Sequence, residues 1–191
     1  MIVLNHPFWL EEGVGEPDRQ RAVARLLREC VAEVHAFELN GTRKWHENAA
    51  TIALAHSYSR PVISGGDRHG CEPSACLNLT NAPTFAEFVA EVRSGYSRVV
   101  FMPQYREPMA LRIMDTAWDI LRPYPDYLGR ERWTDRVFYR TDNGVRPLSA
   151  IWENGLPWIV QPVTALLKLC AIRGARPALR LLLSDRAEML P

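Results

Sequence analysis

The chain has 191 residues, enough for one domain or for one domain with a small appendage. Hydrophobic residues make up 47% and charged residues 24%, which supports a packed core and excludes wholesale disorder. Basic and acidic residues balance at 23 against 22, so bulk charge gives no reason to expect a nucleic-acid partner.

Up to residue 105 the chain alternates strand and helix signals. The apolar run in IVLNH at 2–6 predicts a short strand. Over 17–32, Val23, Leu26, Leu27, Cys30 and Val31 form one stripe, with Arg19, Arg21, Arg25 and Arg28 off it. That spacing predicts an amphipathic helix, and Pro17 suits its first turn. VHAFEL at 34–39 reads as a strand that closes on the turn signal Asn40-Gly41. Residues 45–58 are Ala-rich and predict a largely buried helix. PVIS at 61–64 is a third strand, with proline at its first position, where it is tolerated. CLNLTN at 76–81 is a fourth. Thr84 and Glu87 then form a T-x-x-E capping box; Phe85, Phe88, Val89 and Val92 share a helix face, and Gly95 falls just past its end. RVVFMP at 98–103 is the last strand of the series. The alternation predicts an α/β fold with a mainly parallel sheet or an α/β barrel, whose strand C-termini share one edge.

Beyond residue 105 the pattern changes. Residues 108–121 read as a helix with Leu111, Met114, Ala117, Trp118 and Leu121 on one side. Residues 122–155 carry Pro, Asp, Arg and aromatics without a clean period, which predicts an irregular but ordered segment. Residues 158–184 read as two helices broken near Gly174 and Pro177. The longest apolar run, 156–172, contains two prolines, Gln161 and Lys168, and fits a docked helix better than a membrane span. Two domains are therefore expected: an α/β part over 1–105 and a mainly helical extension over 106–191. Trp118, Trp133, Trp152 and Trp158 read as core or interface anchors. Cys30, Cys71, Cys76 and Cys170 form no CxxC pair, and MIVLNHPFW is too short for a signal segment, so a cytoplasmic protein with reduced thiols is expected.

The polar residues that follow the strands carry the chemistry. His6 follows Ile2-Val3-Leu4 and precedes Pro7; Asp67 and His69, in ISGGDRHG at 63–70, follow Val62-Ile63. In extended chain, positions 67 and 69 project to one side. A carboxylate and an imidazole at a strand mouth suit Zn²⁺, Mn²⁺ or Fe²⁺. Gly65, Gly66 and Gly70 leave space around the pair. The alternative is that Asp67 caps a turn and His69 is a surface residue; D-x-H alone leaves both open. Arg43 and Lys44 are cations suited to a phosphate, and His46 and Arg68 complete the substrate-side candidates, each weighed against plain surface charge.

The order of VLNHP at 3–7, FELN at 37–40, ISGGDRHG at 63–70 and TFAEFVAEVRSG at 84–95 resembles the C-terminal part of the polymerase and histidinol phosphatase (PHP) family of metal-dependent phosphoesterases. The resemblance covers about residues 1–103. It implies a partial, distorted (β/α) TIM-like barrel with parallel strands. It also implies a cluster of two or three divalent metal ions at the strand C-termini in the complete barrel. His6 matches the ligand on the family's His-Pro strand, and Asp67 and His69 match its final Asp-x-His pair. The implied activity is hydrolysis of a phosphate-bearing small molecule by metal-activated water. The family pattern opens with an H-x-H pair, and His35, His46 and His56 do not form one. An N-terminally truncated or degenerate barrel is therefore expected, with an oligomer or second chain completing it. The rival expectation is a non-catalytic interaction protein built on a remnant half-barrel, whose sheet edges and apolar faces need cover.

Overall fold

The computed structural model describes residues 1–9, 15–65, 70–72, 75–152 and 157–183. It is a mixed α/β protein with one three-stranded parallel sheet and two antiparallel strand pairs, and no barrel closes among the described residues. The described residues divide into two compact units. The first runs to Arg112 without Gly70–Glu72; the second takes Gly70–Glu72 and the chain from Ile113. The division falls inside a single helix, Met109–Leu121.

The first unit opens with β1 (Val3–Leu4), α1 (Glu16–Cys30), β2 (Ala36–Leu39), α2 (Trp45–Ser57) and β3 (Val62–Ser64). The three strands are parallel, in the order β1-β2-β3, with Leu4 opposite Phe37 and Phe37 opposite Val62. Alternation along β2 sends its side chains to two apolar layers. Phe37 packs with Leu27, Val34 and Ala55 on the side of α1 and α2. Ala36 packs with Ile63 and Val92 on the side of α3 (Phe85–Arg93). Cover on both faces explains why VHAFEL is apolar almost throughout and why β2 is buried along its length. Of the stripe expected on α1, Val23, Leu27 and Val31 join this core, whereas Leu26 and Cys30 are exposed. Half of the capping box indicated for α3 is present: the Thr84 hydroxyl accepts from the Glu87 amide at 3.3 Å. Gly95, at φ +73°, ends it.

The parallel series stops at β3. β4 (Cys76–Leu79) and β5 (Arg98–Phe101) pair antiparallel with each other, Cys76 opposite Phe101 and Leu79 opposite Arg98. Between β3 and β4 the polar contacts come from side chains. The Ser64 amide donates to Asn78 Oδ1 at 2.7 Å, Asn78 Nδ2 donates to the Ser64 carbonyl at 3.0 Å, and Ser64 Oγ donates to the Cys76 carbonyl at 2.7 Å. These bonds occupy the groups that a backbone ladder would have used. The expected parallel course of β4 and β5 is corrected accordingly.

The second unit holds the rest of α4 (Met109–Leu121), then α5 (Trp133–Arg136), β6 (Phe138–Thr141), β7 (Gly144–Pro147), α6 (Val160–Cys170) and α7 (Arg176–Leu183). Residues 122–155 are thus not simply irregular, because β6 and β7 make an antiparallel hairpin. Its turn is Asp142-Asn143-Gly144, with Gly144 at φ +112° and the Asn143 amide donating to Thr141 Oγ1 at 3.2 Å. Strands of four residues are too short to register as a period, although Asn-Gly is a hairpin signal. Arg136 closes α4 by donating to the carbonyls of Ile120 at 2.8 Å and Arg122 at 2.7 Å. Pro177 falls in the first turn of α7, where proline opens a helix. No helix among the described residues is long and apolar enough to cross a membrane.

Candidate functional site

Because β1, β2 and β3 run parallel, the segments that follow Leu4, Leu39 and Ser64 leave from one edge of the sheet. His6 stands at that edge with φ +39°, a conformation costing a non-glycine residue roughly 1–3 kcal/mol. Its carbonyl is held twice: the Trp9 amide donates to it at 3.0 Å and Arg19 at 2.6 Å. Its ring Nδ1 pairs with Glu38 Oε2, and the same oxygen accepts the His6 backbone N–H at 3.2 Å. Asn40 Nδ2 lies 3.4 Å from Nδ1.

The Glu38 side chain is 0% exposed and that of His6 18%. A carboxylate in the middle of an apolar strand is costly unless paired and hydrogen-bonded. The strand beside it is shaped for it: a Cβ at Gly65 would stand 1.6 Å from Glu38 Oε1, so only glycine fits there. Cys76 is a further neighbour. Its Sγ lies 3.8 Å from the Leu39 carbonyl, and burial, reinforced by the charge of Glu38, pushes its thiol up to about 11. Cys76 is therefore a neutral thiol at physiological pH and a poor ligand in that form.

The loop after β2 is fixed by a buried polar network. Asn48 on α2 accepts from the Asn40 amide at 3.0 Å and donates to the Asn40 carbonyl at 2.9 Å and to the Tyr105 hydroxyl at 2.7 Å. Tyr105 donates to the Arg43 carbonyl at 3.0 Å, which also accepts from Arg112 at 3.1 Å. Arg112 donates to the Gly41 carbonyl as well, and its guanidinium stacks 4.4 Å from the Tyr105 ring centroid. Burial is the main cause that raises the pKa of Tyr105 above the ordinary phenol range.

That loop delivers Arg43 and Lys44, and the first turn of α2 delivers His46, to a cleft of about 860 Å³ between α1 and α2. Its apolar wall includes Phe8, Trp9, Leu27, Leu54 and Tyr58, and Arg19 adds a further cation. The Arg43 guanidinium lies 4.7 Å from the Trp9 ring centroid, a cation–π contact that orients both. An apolar body with a few polar groups is the usual make-up of a small-molecule pocket.

Of the residues singled out in the sequence, His6 stands at the strand edge in partnership with Glu38. Arg43, Lys44 and His46 gather on the cleft, which neither His6 nor Glu38 lines. Asp67, Arg68 and His69 lie outside the described residues. Among the described residues no group of three or more His, Cys, Asp or Glu could hold a metal ion. Glu38, carried in FELN, and Trp9, Arg19, Asn48, Tyr105 and Arg112 join the site without a motif that marks them in the sequence. A charge inside an apolar strand was the available signal for Glu38; Asn48 in an Ala-rich helix was a weaker one. The chain matches no known protein family, no curated protein and no solved structure.

Proposed function

We propose that this chain carries a metal-dependent phosphoric ester hydrolase site of the PHP type, on a partial, distorted (β/α) barrel. The observation that supports the reading best is the His6–Glu38 pair at the C-terminal edge of the parallel strands. Metal-ligating histidines commonly donate one ring N–H to a carboxylate, which fixes the tautomer and leaves the other nitrogen as the ligating atom. Glu38 stands in that relation to His6 Nδ1, so Nε2 is the atom directed to a metal. His6 fits a divalent ion such as Zn²⁺, Mn²⁺ or Fe²⁺ as a borderline ligand. Asp67 and His69, which follow β3 in sequence, are proposed as further metal ligands, spread with His6 over different ions where the family's positions are kept. A bound divalent ion would supply Lewis-acid stabilisation of the phosphoryl oxygens and lower the pKa of attacking water.

The chain's own residues then have separate tasks. Glu38 orients His6 through its ring Nδ1. Arg43 and Lys44, with Arg19 and His46 beside them, balance the charge of a phosphate; Arg68 is proposed to share that role. The apolar wall of the cleft takes the organic part of the ester, so esters with an aryl or alkyl group are favoured over glycerol phosphate. Hydrolysis of naphthyl phosphate by the purified chain, with Mn²⁺ or Zn²⁺ supplied, tests the reading. It is expected to require the metal and to be lost in His6→Ala. Hydrolysis unaffected by that substitution, or absent with every metal offered, would overturn it. The non-catalytic alternative, an interaction protein on a remnant half-barrel, draws on the exposed apolar face of α6. It predicts no metal uptake and no hydrolysis.

A further inference from the structure

From Asn154 to Ser184 the chain has no Asp or Glu and four basic residues, Lys168, Arg173, Arg176 and Arg180. The whole chain is nearly neutral, so this stretch is a local cationic island. It also carries many exposed apolar side chains. On α6, Val160, Thr164 and Leu167 are half-buried, which marks the inward side. The opposite side presents Pro162, Ala165, Leu166 and Leu169, all exposed, and Leu166 is 61% exposed. Gln161 and Lys168 run along one flank of that face, one above the other at i, i+7. Trp158, just before the helix, is 80% exposed, and Leu181 and Leu182 on α7 are 82% and 79% exposed. Arg176 is tied to Asp115 at 2.5 Å, so Lys168 is the cation set most directly beside the apolar face.

From these observations we infer that α6 and α7 form a docking surface for an anionic lipid bilayer. An exposed apolar helix face of this kind marks an interaction site. Charge decides its occupant: basic residues, no acidic ones, and a tryptophan at the rim match the headgroup region of an anionic leaflet. α6 has 11 residues, about half the length needed to span, so it lies in the plane of the interface. The inference is independent of the hydrolase reading.

The test is sedimentation of the full chain with vesicles of phosphatidylcholine alone and of phosphatidylcholine mixed with phosphatidylglycerol. The chain is expected to pellet with the mixed vesicles and to stay in solution with the neutral ones. Lys168→Gln should weaken binding about fivefold, the effect of one cation near an anionic surface. Leu166→Glu with Leu169→Glu should abolish it, with circular dichroism and melting temperature as in the parent because both positions are exposed. Should that double variant misfold, the vesicle-induced blue shift of tryptophan emission, present in the parent and missing in Trp158→Phe, carries the same test. Binding to neither vesicle, or equal binding to both, overturns the inference. So does a concentration-dependent dimer, dissolved by the double substitution, that ignores vesicles.

Discussion

Glu38 sits where a buried strand normally places an apolar side chain, with His6 as its ion-pair partner. Replacing it by glutamine keeps the shape and removes the charge, which separates orientation of a ligand from packing. Glu38→Gln is expected to lower Mn²⁺ or Zn²⁺ affinity about 10- to 100-fold, as loss of a carboxylate behind a ligating histidine does. Calorimetric titration checks this; unchanged uptake would leave the pair a clamp between β1 and β2. Cys76 provides a second residue-scale outcome. Its pKa rises on folding to about 11 because burial disfavours the thiolate. A raised acid pKa means that the unfolded chain loses its proton first as pH rises. The contribution is therefore complete below the ordinary thiol range and is lost as pH climbs through about 11. Urea unfolding should show stability falling by about 2–3 kcal/mol over that window, with the Tyr105 effect, which sets in where an ordinary phenol ionises, superimposed on it. In Cys76→Ala the fall attributable to the thiol should vanish.

Elements hold together here through a few non-local polar side chains. Asn48 joins α2 to the loop after β2 and to Tyr105, 57 residues away, through three hydrogen bonds. Asn48→Ala strips partners from a buried amide, a carbonyl and a hydroxyl, and should cost about 3 kcal/mol in urea unfolding. It should also weaken binding of an aryl phosphate, since Arg43 and Lys44 hang on that loop; a loss of stability with unchanged binding would detach the loop from the cleft's function. The same non-locality set the limit of sequence reading. α1 and α3 were legible because side-chain period, Thr84 and Gly95 are local signals; α2 was placed by its Ala-rich composition, but it is not largely buried, since only Asn48, Thr51 and Ala55 of it are. The antiparallel sense of β5 was not legible, because a strand pattern says nothing about direction and the Ser64–Asn78 bonds bridge positions 14 apart. His6 stood out beside Pro7, yet its link to Glu38 needs a parallel pairing that no local window contains. The outward side of α6 was legible only as apolar: such a stripe looks the same in sequence whether a core covers it or not, and the exposure of Trp158 removes the core reading of that anchor and leaves the interface one open.

At the scale of the whole molecule, metal binding and folding share one free energy, because the unfolded chain does not hold the strand ends together. His6 and Glu38 come from strands 32 positions apart and meet only when β1 pairs with β2. A metal held there must therefore raise the melting temperature. A ligand at 100 times its dissociation constant adds about 2.7 kcal/mol to stability. For a chain of this size each kcal/mol moves the midpoint by about 2–4 °C, so saturating Mn²⁺ or Zn²⁺ should raise it by roughly 5–10 °C. His6→Ala should lower the metal-free midpoint somewhat, since it leaves Glu38 buried without its ion-pair partner, and should abolish the metal-dependent rise. These two effects are separable, because the first is present with chelator and the second is not. A parent chain whose midpoint is the same with chelator as with each metal would place the cost of the buried carboxylate wholly in the architecture of the sheet edge, and the hydrolase reading would fall with it.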